Sequence, residues 1–460
     1  MRRTIRSQRA STSSSSVPRR GSGLPRRKLL QLAGAAGLGT ALGLGRRVYG
    51  QGKKQLRILQ WNHFVPGYDR WFNGPFIQKW GEENDTQVVV DNVGVTGINS
   101  LAASEASAGK GHDLFNSPWP RAVYENEVID HRPVYEACEK RYGKPVDLAV
   151  KSTLNPRTGR YHGFCDSYAP DPVNYRKDLW DEIGLVPDSW DDVRLGGAKI
   201  KQKTGIPVGI GLSSEPDTAM AMRAILYSFG GSVQDAGGNL VLDSPATLEA
   251  VKFVRALYAE AMTPEVLAWD PSSNNRAMLS GRSSLVLNAI SVTRTAENEK
   301  LPIGEKIWLA RAPKGPVRRQ GLEHFISIYA VWKFASNVEG AKKFLVDFVG
   351  HSREAFLASE AYNFPTFPGQ VPDLKALLAT DSKAKPANKY AVLGDALEWA
   401  TNVGYPGYTT AAEDEVYGTW VLNTMFASAA TGADSPESAV KTATERSRKI
   451  WKKWKERKLL

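Results

Sequence analysis

A chain of 460 residues with 42% hydrophobic and 23% charged residues can build two or three domains with real cores, and this composition excludes global disorder. The formal charge of +12 hints at nucleic acid until it is located: residues 1–50 hold eleven basic residues and no acid, which leaves +1 for the rest. A near-neutral body lacks the broad positive field that non-specific DNA or RNA binding requires.

The stretch "LPRRKLLQLAGAAGLGTALGLGRRVYGQ" (24–51) comes first in chain order. A dinucleotide loop would follow a strand with G-x-G-x-x-G spacing, and Gly34, Gly37, Gly39 and Gly43 do neither. A membrane span wants about 20 apolar residues, more than Leu29 to Gly45 supplies. Arg26-Arg27 ahead of a mild, glycine-rich apolar run fits a twin-arginine-type signal peptide over 1–50, cut after Val48-Tyr49-Gly50. No cysteine closes the apolar run, so no lipid anchor is expected, and the product is expected to be soluble and periplasmic.

After the leader, "QLRILQW" (55–61) predicts a strand, "RWFNGPFIQKWGEEN" a helix and "TQVVVDNV" a second strand; "INSLAASEASAGKG" follows as a helix and "HDLFN" as a third strand. This alternation is the grammar of a parallel α/β sheet, whose ligands sit beyond the carboxyl ends of the strands. Trp61, Asn62 and His63, with Asn116 to Trp119, therefore share one rim. Further on, Asp-Ser-Pro at 243–245 and 434–436 predicts two helices with serine caps and proline at the first position. The basic end "RSRKIWKKWKERKLL" reads as the solvated face of the second.

Known catalytic motifs are missing: there is no H-E-x-x-H, G-x-S-x-G, Walker loop or Cys-x-x-Cys, and the six histidines lack metal-ligand spacing. No catalytic residue, metal site or cofactor is expected. Aromatics are abundant, with 13 Trp and 16 Tyr, several beside Asn, Asp and His in loops. Most such rings are core, but a cluster at a strand-end rim would stack the flat faces of hydroxylated ligands. Cys138 and Cys165 leave two readings open: a possible disulfide in an oxidising compartment, or two buried thiols in a protein exported already folded.

The segment "RYHGFCDSYAPDPVNYRKDLWDEIGLVPDSWDDV" (160–193) resembles the central signature of bacterial extracellular solute-binding proteins, family 1, the sugar-type receptors of ABC importers. "GG" at 230–231 with "NLVLDSPATLEAVKFVRALY", "AMLSGRSSLVLNAIS", "ISIYAVWKFASNVEGAKKFLVDFV" and "MFASAATGADSPESAVKTATERSRKI" are similar to further family segments in the same order. The resemblance covers about Leu56 to Trp454. It implies an α/β fold of two-lobed, type II-like periplasmic-binding architecture: each lobe a mixed sheet flanked by helices, with hinge strands and a central ligand cleft. The lobes would comprise residues 51–168 with 325–365, and 169–324 with 366–460. Crossings are expected near 164–171, 324–329 and 363–369.

The family's ligand positions imply contacts from Trp61, Asn62, His63, Trp119, Asp166 and Tyr168 in the first lobe. In the second lobe they imply Trp269, Asn274, Asn275, Asn288, Ser291, Tyr405 and Tyr408. Implied partners are a small solute (a sugar, oligosaccharide or polyol) and the membrane permease of an ABC importer, with no nucleic acid, and the chain is expected to be a monomer. Asp166, Asp270 and Glu323 keep a polyamine open, and Arg223, Arg276 and Arg294 keep a glycerol-phosphate-type ligand open. A secreted carbohydrate-active enzyme and a surface sensor using the same fold are the competing classes.

Overall fold

The computed structural model describes residues 54–460; the expected signal peptide and its expected cleavage site lie outside the described residues. The expected alternation is present: β1 (Lys54–Trp61), a kinked helical run from Pro66 to Glu83, β2 (Thr86–Val93), the helix Gly97–Ala108 and β3 (Leu114–Ser117). β1 pairs in parallel with both β2 and β3. The kink falls at Gly74, just ahead of Pro75, where the missing N–H interrupts the α-helical ladder.

After a small hairpin, β4 (Leu154–Asn155) and β5 (Arg160–Tyr161), the chain enters β6 (Phe164–Pro170) and then β7 (Val173–Arg176). Pro170 and Pro172 bracket Asp171 and stop the ladder there, so the run from Phe164 to Arg176 is two strands in two different sheets. β7 joins β8 (Val208–Gly209), β9 (Leu285–Leu287) and β10 (Ile307–Ala310) in a mixed four-stranded sheet ordered β10-β7-β9-β8. The chain returns through β11 (Gly321–Val331), buried at all eleven positions, which runs antiparallel to β3 and β6. β12 (Phe364–Pro365) pairs with β6, and β13 (Ala400–Thr401) with the start of β11, completing a seven-stranded mixed sheet.

Period-2 alternation puts Ile328 and Ala330 of β11 on one face of this larger sheet, with Leu59, Trp61, Phe115 and Cys165. Tyr329 and Val331 face the other side, with Leu56, Ile58, Phe164 and Cys138. A third core surrounds the small sheet and holds Trp180, Trp190, Leu226, Val254, Phe426 and Trp454. Both serine caps form: Ser244 Oγ accepts from Thr247 N at 3.2 Å and Ser435 Oγ from Ser438 N at 3.1 Å. On the last helix, Pro436–Glu456, Val440, Ile450 and Trp454 are buried, while Lys452 and Lys455 are exposed.

The disulfide reading is corrected: Cys138 and Cys165 are both free and buried. Their side chains belong to opposite faces of the larger sheet, so the sheet stands between them. Cys165 Sγ donates to Ser167 O at 3.3 Å, and burial pushes the Cys138 thiol up to about 12. Among the described residues no helix is long and apolar enough to cross a membrane.

Candidate functional site

The two sheets are joined where β6 passes into β7 and where β10 returns to β11, and buried charge collects at this junction. His324 of β11 lies with Nδ1 3.0 Å from Asp171 Oδ1. Its neighbour Glu323 uses Oε1 to accept from Val403 N at 3.1 Å, while Oε2 has no partner. The helix Pro216–Ser228 packs across β11 and supplies the opposing groups. Glu215 caps it, its carboxylate accepting from Asp217 N at 2.7 Å and Thr218 N at 2.5 Å. Asp217 Oδ2 accepts from Asn274 Nδ2 at 2.5 Å. Two turns along, Arg223 is fully buried, its Nη2 3.6 Å from Glu413 Oε2 and its guanidinium 5.0 Å from the Tyr417 ring centroid.

Burial governs the ionisation of these groups. It pushes the Glu323 carboxyl up to about 8, with Arg223 opposing, and Glu413 up to about 7, again against Arg223. Asp217 is raised well above the carboxylate range by burial and by the field of Glu215. Burial alone would depress His324, but the hydrogen bond and field of Asp171, with Asp217 and Glu215, hold it above its ordinary value.

The larger sheet contributes an aromatic wall. Trp61 stacks on His63 at 5.0 Å and tilts against Phe325 at 5.1 Å; His63 meets the Tyr362 ring edge-on at 4.9 Å. Val65 N donates to His63 Nδ1 at 2.9 Å, which leaves the proton on Nε2 to donate to Asn363 Oδ1 at 2.9 Å. Burial lowers this imidazole to about 4, so it is neutral. Trp61 Nε1 donates to Asn116 Oδ1 at 2.8 Å, joining the two strand ends expected to share a rim.

Of the residues named from sequence, Trp61, His63 and Asn274 adjoin the charged junction. Asn275, Asn288 and Ser291 lie beyond Asn274 and close a ring among themselves: Asn275 Nδ2 donates to Ser291 Oγ, Ser291 Oγ to Asn288 Oδ1 at 3.1 Å, and Asn288 Nδ2 back to Asn275 Oδ1. Asp166 sits in a separate polar cluster within the larger sheet, hydrogen-bonded to Ser167 and Ser327, where burial raises it to about 6. Asn62 is exposed, while Trp119 is buried and packs into the core of the small sheet. Tyr168 packs on Phe364 at 5.7 Å. Trp269 is half-buried over Gly209, Tyr405 leans on Tyr227 and accepts from Arg318, and Tyr408 faces the Asn155–Leu459 end of the chain.

Sequence reasoning missed Asp171, Glu215, Asp217, His324, Glu413, Tyr362 and Tyr417 as site residues. Two local signals were available: the Pro-Asp-Pro at the crossing and the Glu-Pro-Asp opening a helix, which presents two carboxylates at its positive end.

A family model described as bacterial extracellular solute-binding protein matches residues 66–364. Among curated relatives, one named as a binding protein from Brucella abortus (strain 2308) is 24% identical over 202 residues, 43% of this chain and 49% of its own. The chain thus spans about half the length of the curated relatives it matches. Among solved structures, maltose-bound MalE3 of T. maritima superposes with a TM-score of 0.71 at 21% identity, covering 86% of this chain and 99% of that one. A sugar transporter from Arthrobacter chlorophenolicus A6 with bound laminaribiose gives 0.69 at 16% identity, covering 85% and 98%. At these identities the likeness speaks for a two-lobed fold.

Proposed function

Because the chain belongs to the bacterial extracellular solute-binding protein family, we propose that it is the extracytoplasmic receptor of an ABC importer. It binds a sugar, oligosaccharide or polyol between its lobes and delivers it to a membrane permease. The observation that carries this reading is a set of buried polar groups at the inter-sheet junction without partners: Glu323 Oε2 and the Tyr362 and Tyr417 hydroxyls. Buried groups of this kind cost about 1–3 kcal/mol each when left unmade, and a hydroxyl-rich solute satisfies them. The aromatic wall of Trp61, His63, Phe325 and Tyr362 supplies stacking faces for such a solute.

In this reading residues 51–168 and 325–365 form the N-terminal lobe, and 169–324 and 366–460 the C-terminal lobe, with β13 reaching back to β11. The family and fold are those of binding proteins, so no turnover is assigned. Export, a periplasmic location and a monomeric state complete the proposal. A thermal-shift screen of the protein against sugars, polyols, sugar phosphates and polyamines tests it, since a ligand bound only by the folded state raises Tm with concentration. A shift confined to sugars or polyols, without product, supports the receptor; product formation refutes it in favour of an enzyme.

A further inference from the structure

At the junction five carboxylates, Asp171, Glu215, Asp217, Glu323 and Glu413, meet one guanidinium, Arg223, and one imidazole, His324. Their partners are unequally shared. Asp171 is engaged by His324, Glu215 by the helix N-terminus it caps, and Glu413 by Arg223. Asp217 and Glu323 have no cation of their own: the first accepts from an amide, the second from one backbone N–H. Glu323 is only 3% exposed, and its Oε2 is unpartnered. The unpartnered Tyr362 hydroxyl lies in the field of Asp217 and Asp171, and that of Tyr417 in the field of Glu323 and Asp217.

We propose that the solute carries a cationic nitrogen, an ammonium or guanidinium group on a hydroxylated body, seated against Asp217 with Glu323 in electrostatic reach. This rests on the reading of the junction as the solute site. A neutral sugar would supply hydrogen bonds but no counter-charge for either carboxyl, whereas one cation stabilises the ionised form and donates to it at once. The surrounding rings suit the same group, because a cation is attracted to the face of an aromatic ring. Arg223 over Tyr417 already uses that geometry. With no cation present, burial holds the Glu323 carboxyl up at about 8 and raises Asp217 in the same sense, so a cationic solute that ionises Glu323 expels a proton as it binds.

The test is calorimetric titration of the full chain with common hexoses, hexitols and disaccharides, each beside its amino counterpart, and with spermidine and calcium chloride. Buffers of different ionisation enthalpy count the protons released. The expected result is at least tenfold tighter binding of an amino sugar or amino polyol than of its neutral counterpart, with net proton release at pH 7. Asp217→Asn should erase the preference while retaining the melting transition; if that variant does not fold, the matched pairs on the unaltered protein decide. Equal or tighter binding of the neutral member overturns the cationic group and leaves the sugar receptor standing. Spermidine outcompeting every sugar supports the cationic nitrogen and overturns the sugar-or-polyol reading. Calcium displacing the amino compound overturns an organic cation, and silence from every probe overturns both readings.

Discussion

Replacing Glu323 by glutamine should flatten the dependence of stability on pH. The residue is buried on β11, and its carboxyl is held at about 8 instead of 4.5. A carboxyl whose folded-state value is raised binds its proton more tightly in the native than in the unfolded chain. Its stabilising contribution is therefore complete below about pH 4.5 and is lost as pH rises through 8. A shift of this size corresponds to about 5 kcal/mol at ~1.4 kcal/mol per unit, and relaxation of the interior reduces this to about 2–5 kcal/mol. Glutamine keeps an oxygen for Val403 N and cannot ionise. Urea unfolding of both proteins at pH 5 and pH 8 should show the glutamine protein gaining about 2–3 kcal/mol relative to the parent over that interval. Taking the difference cancels contributions common to both, including Glu413 and Asp414, which are shifted in the same sense. A difference between the two proteins that stays constant from pH 5 to pH 8 would refute the reasoning.

Trp61→Phe should cost about 1–2 kcal/mol, because it removes the donor 2.8 Å from Asn116 Oδ1 while retaining the aromatic packing, and Trp61→Ala about 3–5 kcal/mol through the cavity it leaves. Parental unfolding midpoints for both variants would mean the ring is not part of the core. In the native protein a thiol reagent such as 5,5′-dithiobis(2-nitrobenzoate) should find neither cysteine, and after denaturation it should find both without a reductant. Silence after denaturation would show that a disulfide had formed. Arg26-Arg27→Lys-Lys should leave precursor in the cytosol, read by cell fractionation and immunoblotting; normal export would assign the general secretory route.

Local chemistry carried much of the fold into plain view. β1, β2 and β3 announce themselves by β-branched runs, and Ser244 and Ser435 by their prolines, because these preferences are decided within a few residues. The join of Trp61 to Asn116 follows from the rule that parallel strands end on one rim. What stayed hidden is registration between distant segments. Asp171 and His324 are 153 positions apart, and Arg223 and Glu413 come from two separate helices, so no window of sequence contains either pair. Asn275, Asn288 and Ser291 have the polarity sugar hydroxyls want, yet the fold lets them satisfy one another. The cysteines show the same limit, since which face of a strand a side chain takes decides whether two thiols can meet.

The pair of prolines around Asp171 also limits how the junction can turn. Each ring fixes its own φ, and each restricts the residue ahead of it to extended backbone, so Ala169 to Pro172 retains few free torsions. Rotation of one sheet against the other would have to pass through the ψ angles of Pro170 and Pro172, through the longer return between β10 and β11, and through the crossing expected near 363–369. A pivot with so few degrees of freedom would lose little entropy on stopping and would confine any swing to a narrow arc. Asp171 sits within this short link, so in any such swing the carboxylate that holds His324 would stay at the pivot while the walls on either side moved.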